Sequence, residues 1–186
     1  VTGQTLYSES DLIAVSGFRP GSKLSLTELR RMTNRISNFY NEQGYFVAQA
    51  YLPAQDIKDG VVTIAVMEGR YGKITLRNQS SLSNDLASGL LGNLNSGDIV
   101  AHAPLENSLL LLSDMPGVEV SSTLNPGSTL GTSDLVVDIK DGQRVSGSVE
   151  AHNEGNRYTG ENRLGATINL NNPTGRGDVA SLRGLT

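Results

Sequence analysis

The chain has 186 residues, of which 37% are hydrophobic and 18% charged, with a net charge of −4 and no cysteine. This composition allows a modest folded core and excludes disulfides, zinc–thiolate sites and thiol nucleophiles. Lys/Arg against Asp/Glu run seven to seven in residues 1–70, four to eight in 71–144 and four to four in 145–186, so no segment has the basic excess that would make nucleic acid a partner.

Val1-Thr2-Gly3-Gln4 has neither the basic nor the apolar region of a signal peptide, and no window reaches 18 apolar residues, the length of a spanning helix. Ser8-Glu9-Ser10-Asp11 predicts a helix start, with Tyr7 and Leu12 spaced as a hydrophobic staple and Gly17 as a left-handed stop. Ser25-Leu26-Thr27-Glu28 is a full capping box, and Leu24 with Leu29 is the staple. Leu26, Leu29, Met32, Ile36, Phe39 and Tyr40 then form one apolar stripe, which ends at Gly44.

Beyond Gly44 the period falls from 3.6 to 2. In Tyr45–Leu52, Phe46, Ala48, Ala50 and Leu52 share one face, and Tyr45, Val47, Gln49 and Tyr51 the other. A loop with Pro53 and Asp59-Gly60 leads to Val61–Met67, where Val62, Ile64 and Val66 align, so the two strands read as a hairpin. With Val1–Thr5 as the tail of an earlier strand, residues 1–70 form a βααββ unit.

The same order recurs about 73 residues on: a strand over Tyr71–Arg77, helices over Ser83–Leu94 and Pro104–Ser113, and strands over Val118–Leu124 and Leu135–Lys140. This predicts a duplicated domain spanning 71–143. The leucine run Leu109–Leu112 is too short to span a membrane and reads as core helix.

After Gly142 the helical signals stop. Val145, Gly147, Val149 and Ala151 alternate with polar neighbours, then comes a turn-rich stretch, Asn153–Gly160. Leu164, Ala166, Ile168 and Leu170 alternate in the same way, Asn172–Asp178 makes another turn, and Val179–Leu185 is a third strand. Residues 144–186 therefore have the dyad pattern of membrane-barrel strands, which an amphipathic antiparallel sheet also shows. Arg176-Gly177-Asp178 matches an integrin-type tripeptide but sits where a turn favours Gly and Asp anyway.

Catalytic chemistry is poorly represented. His102 and His152 fall in different units, and the sequence has no phosphate-binding Gly-Lys-Ser/Thr loop and no Gly-x-Ser-x-Gly elbow. No catalytic residue, metal site or cofactor is expected.

Four stretches resemble the transporter half of two-partner secretion systems, the haemolysin-activator-like branch of the Omp85 superfamily. They are Leu109–Val118, Leu124-Asn125-Pro126-Gly127, Gly131–Leu135, and the run from Asn153-Glu154-Gly155 through Gly160 and Arg163 to the Asn171–Asp178 turn. The resemblance implies an α+β fold of two tandem POTRA (polypeptide-transport-associated) domains, 1–70 with its first strand partly missing and 71–143, followed by the first strands of a truncated transmembrane barrel over 144–186. It further implies an outer-membrane location with residues 1–143 in the periplasm, and an unfolded exoprotein as partner. The family's sixteen strands and its late Val-Arg-Gly-Tyr/Phe motif are not all here, and Leu182-Arg183-Gly184-Leu185 is no substitute.

In a POTRA-like sheet the second strand is the edge, here Tyr45–Leu52 and Val118–Leu124. An extended client can pair with such an edge through main-chain bonds, which marks Tyr45, Val47, Gln49, Tyr51, Val118, Val120 and Ser122 as candidate binding residues. Tyr45–Leu52, uncharged throughout, is the more adhesive of the two. Val149, Ala151, Leu164, Ala166, Ile168 and Leu170 would face lipid, and Glu150, Thr167 and Asn169 the lumen. Two competing functions are an outer-membrane assembly factor of the same superfamily and a soluble adhesion or scaffold module.

Overall fold

Two serines start the first two helices. The Ser8 hydroxyl accepts the Asp11 N–H, and α1 (Glu9–Ser16) follows, ending at Gly17 with a φ of 74°. Arg35 donates to the Ser16 carbonyl at 3.0 Å, directly over Gly17, where a Cβ would lie 2.4 Å from the guanidinium. At α2 (Leu26–Glu42) the capping box is complete: Ser25 Oγ accepts from Glu28 N–H, and Glu28 accepts from Ser25 N–H at 2.7 Å. These bonds hold the Glu28 carboxyl below its ordinary range. Ser25→Ala leaves an orphan N–H at the helix start and is expected to cost roughly 0.5–2 kcal/mol; an unchanged urea midpoint would show that the cap is dispensable.

The computed structural model describes residues 1–57, 60–152 and 163–185. Its architecture is α+β. β1 (Gln49–Tyr51) pairs antiparallel with β2 (Ala65–Met67), Gln49 opposite Met67. On the other side of β2, Thr2 forms a parallel bridge to Ala65, with Thr2 N–H on Ile64 O at 2.9 Å and Val66 N–H on Thr2 O at 2.8 Å. The expected N-terminal strand is thus one bridge long, and β2 is the middle strand.

Three further expected elements are shorter. The strand over Tyr45–Leu52 keeps only Gln49–Tyr51. Tyr45 N–H bonds Tyr40 O and Ala48 N–H bonds Tyr45 O, closing the first half into a turn. Val61–Met67 keeps only Ala65–Met67. The helix over Ser83–Leu94 becomes α3 (Asn84–Leu90), capped by Ser83. Its tail unwinds after Leu90, between Gly89 and Gly92, poor helix residues, yet Leu94 is still buried. The strand β3 (Arg70–Gln79), helix α4 (His102–Ser113), and strands β4 (Val118–Pro126) and β5 (Thr132–Asp141) run longer than expected. The sheet order is β3-β5-β4, leaving β4 at an edge. β6 (Val145–His152), β7 (Arg163–Asn171) and β8 (Val179–Leu185) form a separate antiparallel meander. Asp59, the Asn153–Gly160 turn and the Asn153-Glu154-Gly155 motif lie outside the described residues.

The chain divides into two compact units, Val1–Ile74 with Leu94–Glu106 and Leu124–Leu135, and Thr75–Asn93 with Asn107–Thr123 and Val136–Thr186. In the first, Leu12, Ile36, Tyr40, Ala48, Ile64 and Val66 form the core. Tyr7 meets Phe39 and Tyr40 edge to face, with ring centroids 4.8 and 5.1 Å apart. Leu26, expected in the stripe, is exposed, and Thr33 is buried instead. In the second unit Leu82, Ala87, Leu91, Leu112, Val137 and Ile139 are buried. Of the leucine run only Leu112 is fully buried, because Leu110 and Leu111 fall on the outer face of α4.

Candidate functional site

A buried carboxylate ties the N-terminal segment to the first core. Glu68, only 5% exposed, accepts Thr5 N–H at 2.6 Å, Leu6 N–H at 2.9 Å and the Tyr40 hydroxyl at 3.0 Å on one oxygen, and the Thr5 hydroxyl on the other. Burial alone would push its carboxyl up. The bonds from Thr5, Leu6 and Tyr40 outweigh that and hold it below the ordinary range, while burial and the same contact raise the Tyr40 phenol. Arg70 completes the latch by donating to Gly97 O at 2.9 Å and to the Thr5 hydroxyl.

β1 is the edge of its sheet, but its backbone is largely taken. The outward N–H of Ala50 donates to Ser37 Oγ of α2 at 2.9 Å, and that of Ala48 to Tyr45 O at 3.0 Å. Tyr45 packs against the core rather than presenting itself with Gln49 and Tyr51. Val47 lies against Gly69, where a Cβ would be 2.9 Å from Val47 Cγ1. Only Gln49 and Tyr51 of the four residues expected there are exposed on a strand. The segment that looks more adhesive in sequence is therefore the shorter edge and the one already satisfied.

β4 is the longer edge, nine residues. Gly142 N–H bonds Gly117 O, and Gly127 N–H bonds Thr132 O at its other end. By the two-residue alternation of an antiparallel ladder, the odd positions between them bond β5, and Val118, Val120, Ser122 and Leu124 turn their N–H and C=O outward. In the first compact unit a groove of about 470 Å³ runs beside the end of β4, lined among others by Phe46, Val47, Gln49, Met67, Leu124 and Pro126. It brings Val47 and Gln49 together with the end of the second predicted edge.

The β6–β8 meander separates its two faces cleanly. Val145, Gly147, Val149 and Ala151 stand opposite Leu170, Ile168, Ala166 and Leu164, and Leu170, Ile168 and Ala166 stand opposite Ala180, Leu182 and Gly184. All six expected lipid-facing residues lie on this face and are exposed, and the register adds Leu182. The other face holds Ser148 and Arg183 beside Glu150, Thr167 and Asn169, with Glu150 and Arg183 in an ion pair. Arg176-Gly177-Asp178 closes the β7–β8 turn: Gly177 N–H bonds Asn172 Oδ1, and Asp178 accepts the Thr174 hydroxyl at 2.8 Å, so the tripeptide is a structural turn.

Among the described residues no helix is long and apolar enough to cross a membrane, and no cluster could hold a metal ion. Sequence reasoning missed Glu68. The available signal was parity, since Glu68 continues the inward series Val62, Ile64 and Val66.

Residues 1–69 match the POTRA domain, ShlB-type, and residues 131–185 match the haemolysin secretion/activation protein ShlB/FhaC/HecB. The heme/hemopexin transporter protein HuxB of Haemophilus influenzae is 39% identical over 163 residues, covering 87% of this chain and 29% of its own length. The outer membrane transporter CdiB of Dickeya dadantii is 28% identical over 174 residues, 94% of this chain and 30% of CdiB. Among solved structures, CdiB from Escherichia coli superposes with a TM-score of 0.77 at 25% identity, covering 99% of this chain and 34% of that one. The chain thus spans about 30% of the length of the curated relatives it matches. Along most of its length the chain is thus similar to two-partner secretion transporters of the ShlB/FhaC/HecB type. That family consists of outer-membrane secretion channels with periplasmic POTRA domains, not of known enzymes.

Proposed function

We propose that residues 1–143 are the periplasmic receiving region of a secretion transporter, organised as POTRA domains 1–70 and 71–143, and that residues 144–186 are barrel wall. An unfolded exoprotein segment pairs with the outer edge of β4 and passes to the pore. The observation that carries this reading is the contrast between the edges. β4 directs the backbone groups of Val118, Val120, Ser122 and Leu124 outward, whereas β1 spends its outward N–H groups on its own helix and turn. Main-chain pairing of this kind tolerates a client of varied sequence.

The test uses the full-length transporter during secretion. A photo-crosslinking residue at Ser122 is expected to capture the exoprotein, and one at Ala50 is not. Val120→Pro removes an outward N–H from an edge strand, which the fold tolerates, so secretion falls while the amount in the outer membrane stays constant. Normal secretion by a folded Val120→Pro variant, with no capture at Ser122, would remove β4 as the client edge.

A further inference from the structure

The turn between β7 and β8 does more than reverse the chain. Within the second compact unit, Asn172 is 1% exposed and stands at a φ of 52°, a left-handed conformation that asparagine tolerates better than most residues. Its side chain is spent in two directions. Oδ1 accepts Gly177 N–H at 2.8 Å within the turn, and Nδ2 donates to Ser81 Oγ at 3.2 Å, 91 residues away in sequence. Ser81 in turn donates from N–H and hydroxyl to Asp141 Oδ1, both at 2.8 Å. Ser83 N–H bonds Gly175 O at 2.8 Å, immediately before α3.

Three glycines make the approach possible. A Cβ on Gly175 would stand 2.7 Å from Ser81 O, one on Gly177 2.7 Å from Met115 Sδ, and one on Gly117 3.1 Å from Asn171 Cβ. The turn is thus docked on the Ser81–Ser83 loop and on the segment that leads into β4.

We propose that the Asn172–Asp178 turn is a strut, with Asn172 as its positioning residue, holding the β4 edge at a fixed place against the β7–β8 turn. The strut rests on the proposed client edge, since its purpose is to deliver a client from β4 to the membrane strands without a hinge between them.

In the full-length transporter, Asn172→Ala and Gly175→Val should reach the outer membrane in parental amount and keep the Ser122 cross-link. They should secrete roughly tenfold less, the population shift expected when a docked state loses a buried hydrogen-bonded group. A Ser81→Cys, Asn172→Cys pair supplies the control within one folded protein: oxidised, the bridge replaces the lost bond and secretion returns to the parental level, and reduced, it falls with the single variants. Parental secretion by both single variants would show the contact to be idle. Arrest by the oxidised bridge would show that the contact must open, and a pair insensitive to its redox state would equally overturn the strut. Loss of the Ser122 cross-link in the parent protein strikes the client edge alone, because the redox comparison still reads the strut.

Discussion

Ile168→Arg in the membrane-inserted transporter is expected to cost roughly 2–4 kcal/mol, and Thr167→Arg close to nothing. The two positions are adjacent and near the middle of β7, so depth in the bilayer is nearly the same for both. What differs is the face. Ile168 is paired with Gly147 and Leu182, is 58% exposed, and belongs to an uncharged row that runs across all three strands. Thr167 is paired with Ser148 and Arg183 on the face that already holds an ion pair. A guanidinium at Ile168 must therefore lose its hydration to hydrocarbon, while one at Thr167 remains among polar groups. Urea titration of the two variants in bilayers decides it; equal destabilisation would mean that the meander is not barrel wall.

Glu68→Ala is expected to destabilise the first compact unit by roughly 3 kcal/mol or more, because several donors lose their acceptor at once and each buried unsatisfied group costs about 1–3 kcal/mol. The two N–H groups of Thr5 and Leu6 and the Tyr40 hydroxyl have no equivalent replacement in the cavity left behind. The sign of the pH dependence follows from the direction of the shift. With the folded carboxyl held below its ordinary value of about 4.3, its contribution is complete above that value and is lost as pH falls through the lower folded one. Protection of the Thr5 and Leu6 amides from exchange, relative to the intrinsic rate at each pH, should fall on acidification in the parent and be low at every pH in Glu68→Ala. Full protection of these amides in the variant would show that the N-terminal segment is held by something else.

What is legible in the sequence is what is local. The Ser25 box, the Gly17 stop and the alternation through Val149 and Ile168 each depend on neighbours within a few residues, and all appear in the structure where the pattern puts them. Tyr45 misleads because alternation registers only that it is apolar on one side; Tyr40 and Tyr7 then draw it inward and end the strand early. The sealed edge of β1 depends on Ser37 reaching across from a helix, and the anchor at Asn172 on a serine 91 residues away. Neither partner is visible to a reading that moves along the chain. Glu68 is intermediate, since its parity marks it as inward and only its partners are hidden.

Gly165 ties the alignment of all three strands of the β6–β8 meander together. Its missing side chain leaves room for Glu150, whose Cγ would stand 2.7 Å from a Cβ there, to lie across β7 and meet Arg183 on β8. The pair spans three strands, so it closes only when both junctions are in the native register. A slip of one residue at either junction would turn Arg183 toward the apolar face or move Glu150 off its glycine. The ion pair therefore acts as a constraint on the register of all three strands, beyond what a half-exposed pair of charges adds to stability.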